Sequence, residues 1–314
     1  MSSDVCVVGN LNADLVLYPL KDFPAWGSEV ITSNMSWRPG GIANALFCLA
    51  RLGVGVSAIA NVGDDAMGEE LVSALEGAGI STNHIERSAY VRTAISVGLG
   101  REDGERAFVT HLGHLKRLDV DLVLRHCQAW QEAQYVLISG YFLLPGLGFG
   151  GIKTLSDVLR AEGKVVLLDV GWDIEGWRQR SVGEVMQLLQ GVDVFLPSLN
   201  EAQALTSQTD PQACLEDLYV RSRRAVIIKM GDAGCIARTE EGTFEQPAFP
   251  VEALDTTGAG DCFNSGIIVG LLNDWDMART LRFASAVAAT VISRPREEGY
   301  PTLGQVREYL EERR

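Results

Sequence analysis

The chain alternates short apolar runs with stretches whose apolar positions recur at helical spacing. Val5–Val8, Val56–Val62, Tyr135–Ser139, Val165–Asp169, Val194–Pro197 and Ala225–Met230 are compact apolar runs typical of buried strands. Ile42–Leu52, Met67–Ala78, Ile152–Ala161, Val182–Leu189 and Glu201–Leu205 follow a helical period, as do Ala278–Ile292 and Leu303–Glu312. This strand–helix rhythm predicts an α/β layered fold.

The rhythm breaks once. Thr93–Gly100 and Arg106–Leu112 are extended runs joined by residues 101–105, which contain Asp103-Gly104, and they predict an antiparallel hairpin. With two further short strands, Asp14–Tyr18 and Glu29–Met35, the hairpin predicts a small separate sheet, a flap on the main body. There is no internal repeat or linker, so residues 1–314 read as one domain with that appendage.

Composition narrows the function classes. The content is 46% hydrophobic and 22% charged, as in ordinary globular chains, and the net charge of -14 disfavours nucleic acid as a partner. The six cysteines are scattered without metal-ligand spacing, which fits reduced thiols in the cytoplasm. No signal core or membrane-length apolar run is present, so no membrane partner is expected.

The most informative segment is Asp255-Thr256-Thr257-Gly258-Ala259-Gly260-Asp261, followed by a run of helical period at Phe263, Ile267, Ile268, Leu271 and Leu272. A small-residue turn feeding a helix start presents free N–H groups, which attract an anion such as a phosphate. Asp261 in the first turn satisfies the helix dipole. An acid beside a phosphate site also suits a base acting on the other reactant, which is the minimum for phosphoryl transfer to a hydroxyl.

DTTGAGDCFNSG resembles the carboxyl-terminal signature of the ribokinase-like (PfkB-type) carbohydrate kinases. PGGIANALFCLARLG resembles the family's other signature, Gly63-Asp64-Asp65 with Gly68 its continuation, and Lys229, Gly231 and Gly234 its Lys-x-Gly turn. The resemblance implies a three-layer α/β/α fold with a central, mostly parallel sheet and a small β-sheet lid from about residues 12–19, 29–36 and 93–112. It implies transfer from ATP, with Mg2+, to a hydroxyl of a small sugar. Asp261 would be the base, Gly258, Ala259 and Gly260 the cradle for the transferred group, and Asp14, Gly40, Gly41 and Asn44 the hydroxyl-binding set. Ser198, Glu201, Lys229, Gly231 and Thr256 would serve the nucleotide, Glu201 acting on Mg2+ through water. Asp255 matches a monovalent-cation position, a K+ site, and reads equally as a helix-entry cap. The lid also offers a surface for a homodimer.

The chain departs from the family pattern at Ser198 and Ser285, each where an Asn is common, and Gly40-Gly41-Ile42-Ala43-Asn44 lacks the Lys often found between the glycines in ribose-specific members. A free sugar is favoured as acceptor. A nucleoside would need an apolar wall from Phe108 or Trp37, and a phosphosugar would need Arg38, Arg92 or Arg106. Gly146-Leu147-Gly148-Phe149-Gly150-Gly151, with Asp169 ending the next strand, formally matches a dinucleotide fingerprint. Tyr141–Pro145 separate it from the preceding strand, and a nicotinamide oxidoreductase leaves the loop ending at Asp261 unexplained. The run therefore reads as a loop before a helix. A binding protein without catalysis is the remaining alternative, and it has no use for Asp261.

Overall fold

The computed structural model describes residues 3–101, 106–222, 225–295 and 298–313. Its strands are β1 Val5–Gly9, β2 Leu11–Leu20, β3 Asn34–Gly41, β4 Val56–Gly63, β5 Ile85–Ser88, β6 Ile95–Arg101 and β7 Arg106–His111, then β8 Tyr135–Ser139, β9 Val165–Asp169, β10 Val194–Phe195, β11 Ala225–Lys229, β12 Cys235–Thr239 and β13 Gly242–Gln246. Its helices are α1 Ala43–Arg51, α2 Ala66–Gly77, α3 Val120–Arg125, α4 Gln128–Gln131, α5 Gly148–Ala161 and α6 Gln179–Leu188, then α7 Leu199–Thr206, α8 Pro211–Ser222, α9 Ala259–Leu272, α10 Met277–Ile292 and α11 Leu303–Glu311.

The main sheet has nine strands in the order β13-β12-β11-β10-β9-β8-β1-β4-β5. It is parallel from β5 through β11, and β12 and β13 add an antiparallel edge. Side chains alternate between its faces. Cys6 and Val8 pack with Leu122, Trp130, Leu155 and Leu215 on one side. Val5 and Val7 pack with Leu46, Leu71, Ile267 and Leu281 on the other. Two apolar layers on one sheet give the three-layer architecture.

The predicted separate sheet exists, in the order β3-β2-β6-β7, with β6 and β7 antiparallel. The turn expected at 102–105 lies outside the described residues. The strand expected at Glu29–Met35 is displaced to Asn34–Gly41, and Glu29–Ser33 lie outside any strand. The displaced strand runs through Pro39 into the glycines. Pro39 is tolerated because β3 is an edge strand and its missing N–H interrupts no ladder. The glycine run near 146 is also not a loop, since Gly148, Phe149, Gly150 and Gly151 form the first turn of α5. Two edge elements carried too little apolar pattern to be foreseen: the short strand β5 and the hairpin β12–β13, whose outer strand reads Gly-Thr-Phe-Glu-Gln.

His114 ties the small sheet to the body. Its Nδ1 accepts from the Ala94 N–H at 3.0 Å, just before β6, so its Nε2 carries the proton and faces the Leu11 carbonyl at 3.1 Å, where β2 begins. It is fully buried, and burial lowers its pKa to about 4, so the ring is neutral near pH 7.

Candidate active site

Polar side chains gather at the carboxyl ends of the parallel strands, where open α/β sheets hold ligands. Asp169 ends β9 and Lys229 ends β11. Lys229 Nζ and Asn264 Nδ2 both donate to Asp169 Oδ2 at 2.6 Å. Burial opposes the charge on Lys229, but Asp169, Glu201 and Asp261 together outweigh it and its pKa is raised.

Asp261 sits in the first turn of α9, whose N-cap is Gly258. Gly258 has φ +78°, and an added Cβ would lie 2.8 Å from the side chain of Asn44, so glycine is required there on both counts. Gly260 opens toward Lys229. Burial pushes the Asp261 carboxyl up to about 7. Asp169 and Asp14 add to the shift, while Lys229 and a hydrogen bond from Asn44 oppose it. By accessible surface the residue as a whole is half-buried.

The expected hydroxyl-binding set does come together beside Asp261. Asn10 Nδ2 donates to Asn12 Oδ1 at 2.9 Å, and Asn12 Nδ2 donates to Asp14 Oδ1 at 2.7 Å, a buried ladder running from the body into β2. A Cβ on Gly40 would strike the Asp14 carboxylate, and one on Gly41 would strike the Asn10 carbonyl. Asn44 is buried and donates to Asp261 Oδ2 at 3.0 Å. Asp14, Arg38, Ser96 and Thr110 share one face of the small sheet by register, and Phe108 lies on that face over Gly98. Trp37 is on the opposite face with its Nε1 against Met67 Sδ, so it offers this site no wall.

On the other side of the α9 start is a hollow of about 450 Å3, lined by Lys229, Gly231, Thr256, Ala259 and Gly260 at its polar end and by Phe249, Val251, Ala288 and Ile292 at its apolar end. Ser285 lines it too, with its Oγ 3.8 Å from Cys235 Sγ. The hollow around Asp193, Tyr219 and Ala225 lies at the opposite ends of β10 and β11 and holds none of these groups.

Ser198 and Glu201 do not line the apolar hollow. They form a reciprocal capping box on α7, with the Ser198 N–H donating to Glu201 Oε2 at 2.8 Å. Burial raises the Glu201 pKa, Asp169 adds to that, and Lys229 opposes it. Asp255 accepts from the Thr257 N–H at 2.9 Å and from Arg38 Nη1 at 3.1 Å. Both its oxygens therefore have protein partners, one of them already a cation. Arg92 is exposed and sits 4.0 Å from Asp65, and the side chain of Arg106 lies outside the described residues.

Sequence reasoning passed over Asn264 and Tyr300. Asn264 lies three residues after Asp261, the spacing that puts two side chains on one helix face. Tyr300 carries no comparable signal. It reaches the site only because its chain segment folds back onto α1, where its Oη donates to Asn44 Oδ1 at 2.9 Å.

The 5-dehydro-2-deoxygluconokinase of Geobacillus kaustophilus (strain HTA426) is 27% identical over 315 residues, spanning 97% of this chain and 91% of that protein. The ribokinase of Haemophilus influenzae is 27% identical over 320 residues, spanning 99% of both. The structure of Arabidopsis thaliana ribokinase complexed with ribose and ATP superposes with a TM-score of 0.82 at 22% identity, covering 99% of both chains. The profile of the pfkB family carbohydrate kinases matches residues 2–299, and the chain belongs to that family.

Proposed function

We propose that this kinase transfers the terminal phosphoryl group of ATP to a primary hydroxyl of a small free sugar, with Asp261 as the general base. The observation that carries this reading is the position of Asp261. It stands at the start of α9 between a polar cleft and an apolar hollow, with a carboxyl tuned to about 7.

In the reaction, Asp261 takes the proton of the acceptor hydroxyl as its oxygen bonds to phosphorus and the bond to the departing ADP breaks. The N–H groups of Gly258 and Gly260 at the α9 start hold the charge on the transferred group, with Lys229 beside them, while the Ala259 N–H is turned to the Thr256 carbonyl at 3.2 Å and closes the cradle. The apolar end of the hollow suits adenine, and Thr256 and Gly231 border the phosphate end. Asp14 and Gly40 present the acceptor's hydroxyls. The small sheet acts as a lid that excludes water.

Mg2+ would arrive on the phosphates. Among the described residues no cluster of three or more His, Cys, Asp or Glu could hold a metal, so Glu201 would act on it through water. We assign the charge balance of Asp255 to Arg38; a K+ ion there would have to share a carboxylate that already has an arginine. The pairing of Arg38 and Arg92 with acids supports a neutral acceptor. The cysteines are mostly buried thiols, which suits a reducing compartment such as the cytoplasm.

Phe108 supports a second reading, a nucleoside acceptor, because its ring offers an apolar wall on the Asp14 face of the lid. A panel of free sugars, sugar acids and nucleosides, assayed for ADP release and phosphorylated product, separates the two. Phosphorylation of a free sugar at its primary hydroxyl is expected. Turnover confined to nucleosides would replace the first reading, and no turnover on any acceptor would remove both.

A further inference from the structure

Asn44 is engaged on both ends of its amide. Its Nδ2 donates to Asp261 Oδ2 at 3.0 Å and to the Gly41 carbonyl at 3.2 Å, and its Oδ1 accepts from Tyr300 Oη at 2.9 Å. The Gly41 carbonyl can only accept. The amide therefore cannot be turned over without placing two acceptors together, and its oxygen must face Tyr300.

Tyr300 is itself held by α1. Its ring stacks on Phe47 with centroids 5.9 Å apart and planes 21° apart, and its carbonyl accepts from Arg51 Nε at 3.1 Å. Asn44, Phe47 and Arg51 are spaced i, i+3 and i+7, so one face of α1 carries the amide, the stacking ring and the anchoring guanidinium.

We propose that Tyr300 is a positioning residue for phosphoryl transfer: its hydroxyl fixes the amide of Asn44, and that amide orients the Asp261 carboxylate toward the acceptor hydroxyl. The proposal rests on the reading of Asp261 as the base. It also redistributes labour at the site. Both N–H bonds of Asn44 are committed, so donation to the acceptor's hydroxyls falls to other groups, and Asp14, packed against Gly40 of β3, becomes the main side chain accepting from them.

The test reads Asp261 directly. The groups that face it are Asp169 on β9, Lys229 on β11, Asp14 on β2 and Asn44 on α1, and none of them is altered in Tyr300→Phe. The protein is labelled with carboxyl-13C aspartate, and the Asp261 resonance is identified by its loss in Asp261→Asn. It is then titrated without acceptor or nucleotide in wild type, Tyr300→Phe, Asn44→Ala and the double variant. The Asn44 hydrogen bond favours the ionised carboxylate, so loosening it moves the midpoint upward. A rise of about half a pH unit or more is expected in Tyr300→Phe, with no further rise when Tyr300→Phe is added to Asn44→Ala.

With the acceptor identified by the panel, kcat of Tyr300→Phe should fall roughly tenfold while KM for ATP stays within about twofold. A tyrosine that only packs would lower the unfolding temperature and leave the midpoint in place. An unmoved midpoint in Tyr300→Phe, or a shift undiminished in the Asn44→Ala background, overturns the proposal. Wild-type protein that phosphorylates no acceptor overturns Asp261 as the base and this role with it, whereas an unmoved midpoint in an active enzyme overturns the role of Tyr300 alone.

Discussion

Asp261 is caught between opposing influences, and its chemistry follows from their balance. Burial, Asp169 and Asp14 favour the protonated form, while Lys229 and Asn44 favour the ionised one, and the group settles near 7. A general base must be ionised to act, so kcat/KM should rise with pH through about 7 and level off above it. A pH–rate profile for the free enzyme checks this, and a flat profile down to pH 5 would count against Asp261 as the base. Asp261→Asn removes the proton acceptor but keeps the shape, so kcat should fall roughly a hundred- to ten-thousand-fold while ATP still binds. The same shift affects stability. The folded pKa lies above the unfolded value of 3.8, so the native state binds the extra proton between about pH 4 and 7. The stabilisation this gives is full at low pH and lost as pH rises through 7. At pH 8 the asparagine variant should therefore unfold at a temperature roughly 2–4 °C above wild type, a gap that closes toward pH 4 and that differential scanning calorimetry can follow.

Helix α9 delivers Asp261, and its own packing sets how accurately it does so. A Cβ on Gly266 would lie 2.5 Å from Ala284 Cα of α10, and one on Gly270 would lie 2.5 Å from the Thr280 side chain. The two helices approach closely because these positions lack side chains. Gly266→Ala should force them apart at a cost of about 1–3 kcal/mol, measured by urea unfolding, and should lower kcat by tilting the first turn of α9. This helix was legible in the sequence because its apolar period begins directly after the glycine turn, and the parallel strands were legible as uninterrupted apolar runs. The edges were not. β3 ends in a proline and two glycines, residues of low strand propensity, and it is a strand only because β2 supplies its partner. The site divides in the same way. Asp261 in the first turn of α9, Asp14 on β2 and Lys229 at the end of β11 lie on elements that local pattern reveals. Asp255 meets Arg38 and Asn44 meets Tyr300 through long-range contacts that no local pattern encodes.

At the scale of the whole molecule, the small sheet leaves several apolar side chains uncovered. Leu17, Met35, Val97, Leu99 and Val109 share the face turned away from Asp14, and Met35 and Val109 are 69% and 58% exposed. The loop between β2 and β3 adds Trp26 and Ile31, both almost fully exposed. Contiguous apolar surface of this kind usually meets a partner. We propose a second copy of the chain, paired through this face. Sedimentation should give a dimer for the wild type and a monomer for Met35→Glu/Val109→Glu, and a monomeric wild type would dismiss the idea.

The contact between Tyr300 and Asn44 has a further consequence, in the order of synthesis. The hydrogen bond proposed to orient the base joins residues 256 positions apart in the chain. A growing polypeptide can fold α1 and even place Asp261 in α9 before that tyrosine has left the ribosome. On this account a nascent chain binds nucleotide before it transfers phosphate well, and full activity waits until the segment carrying Tyr300 has emerged.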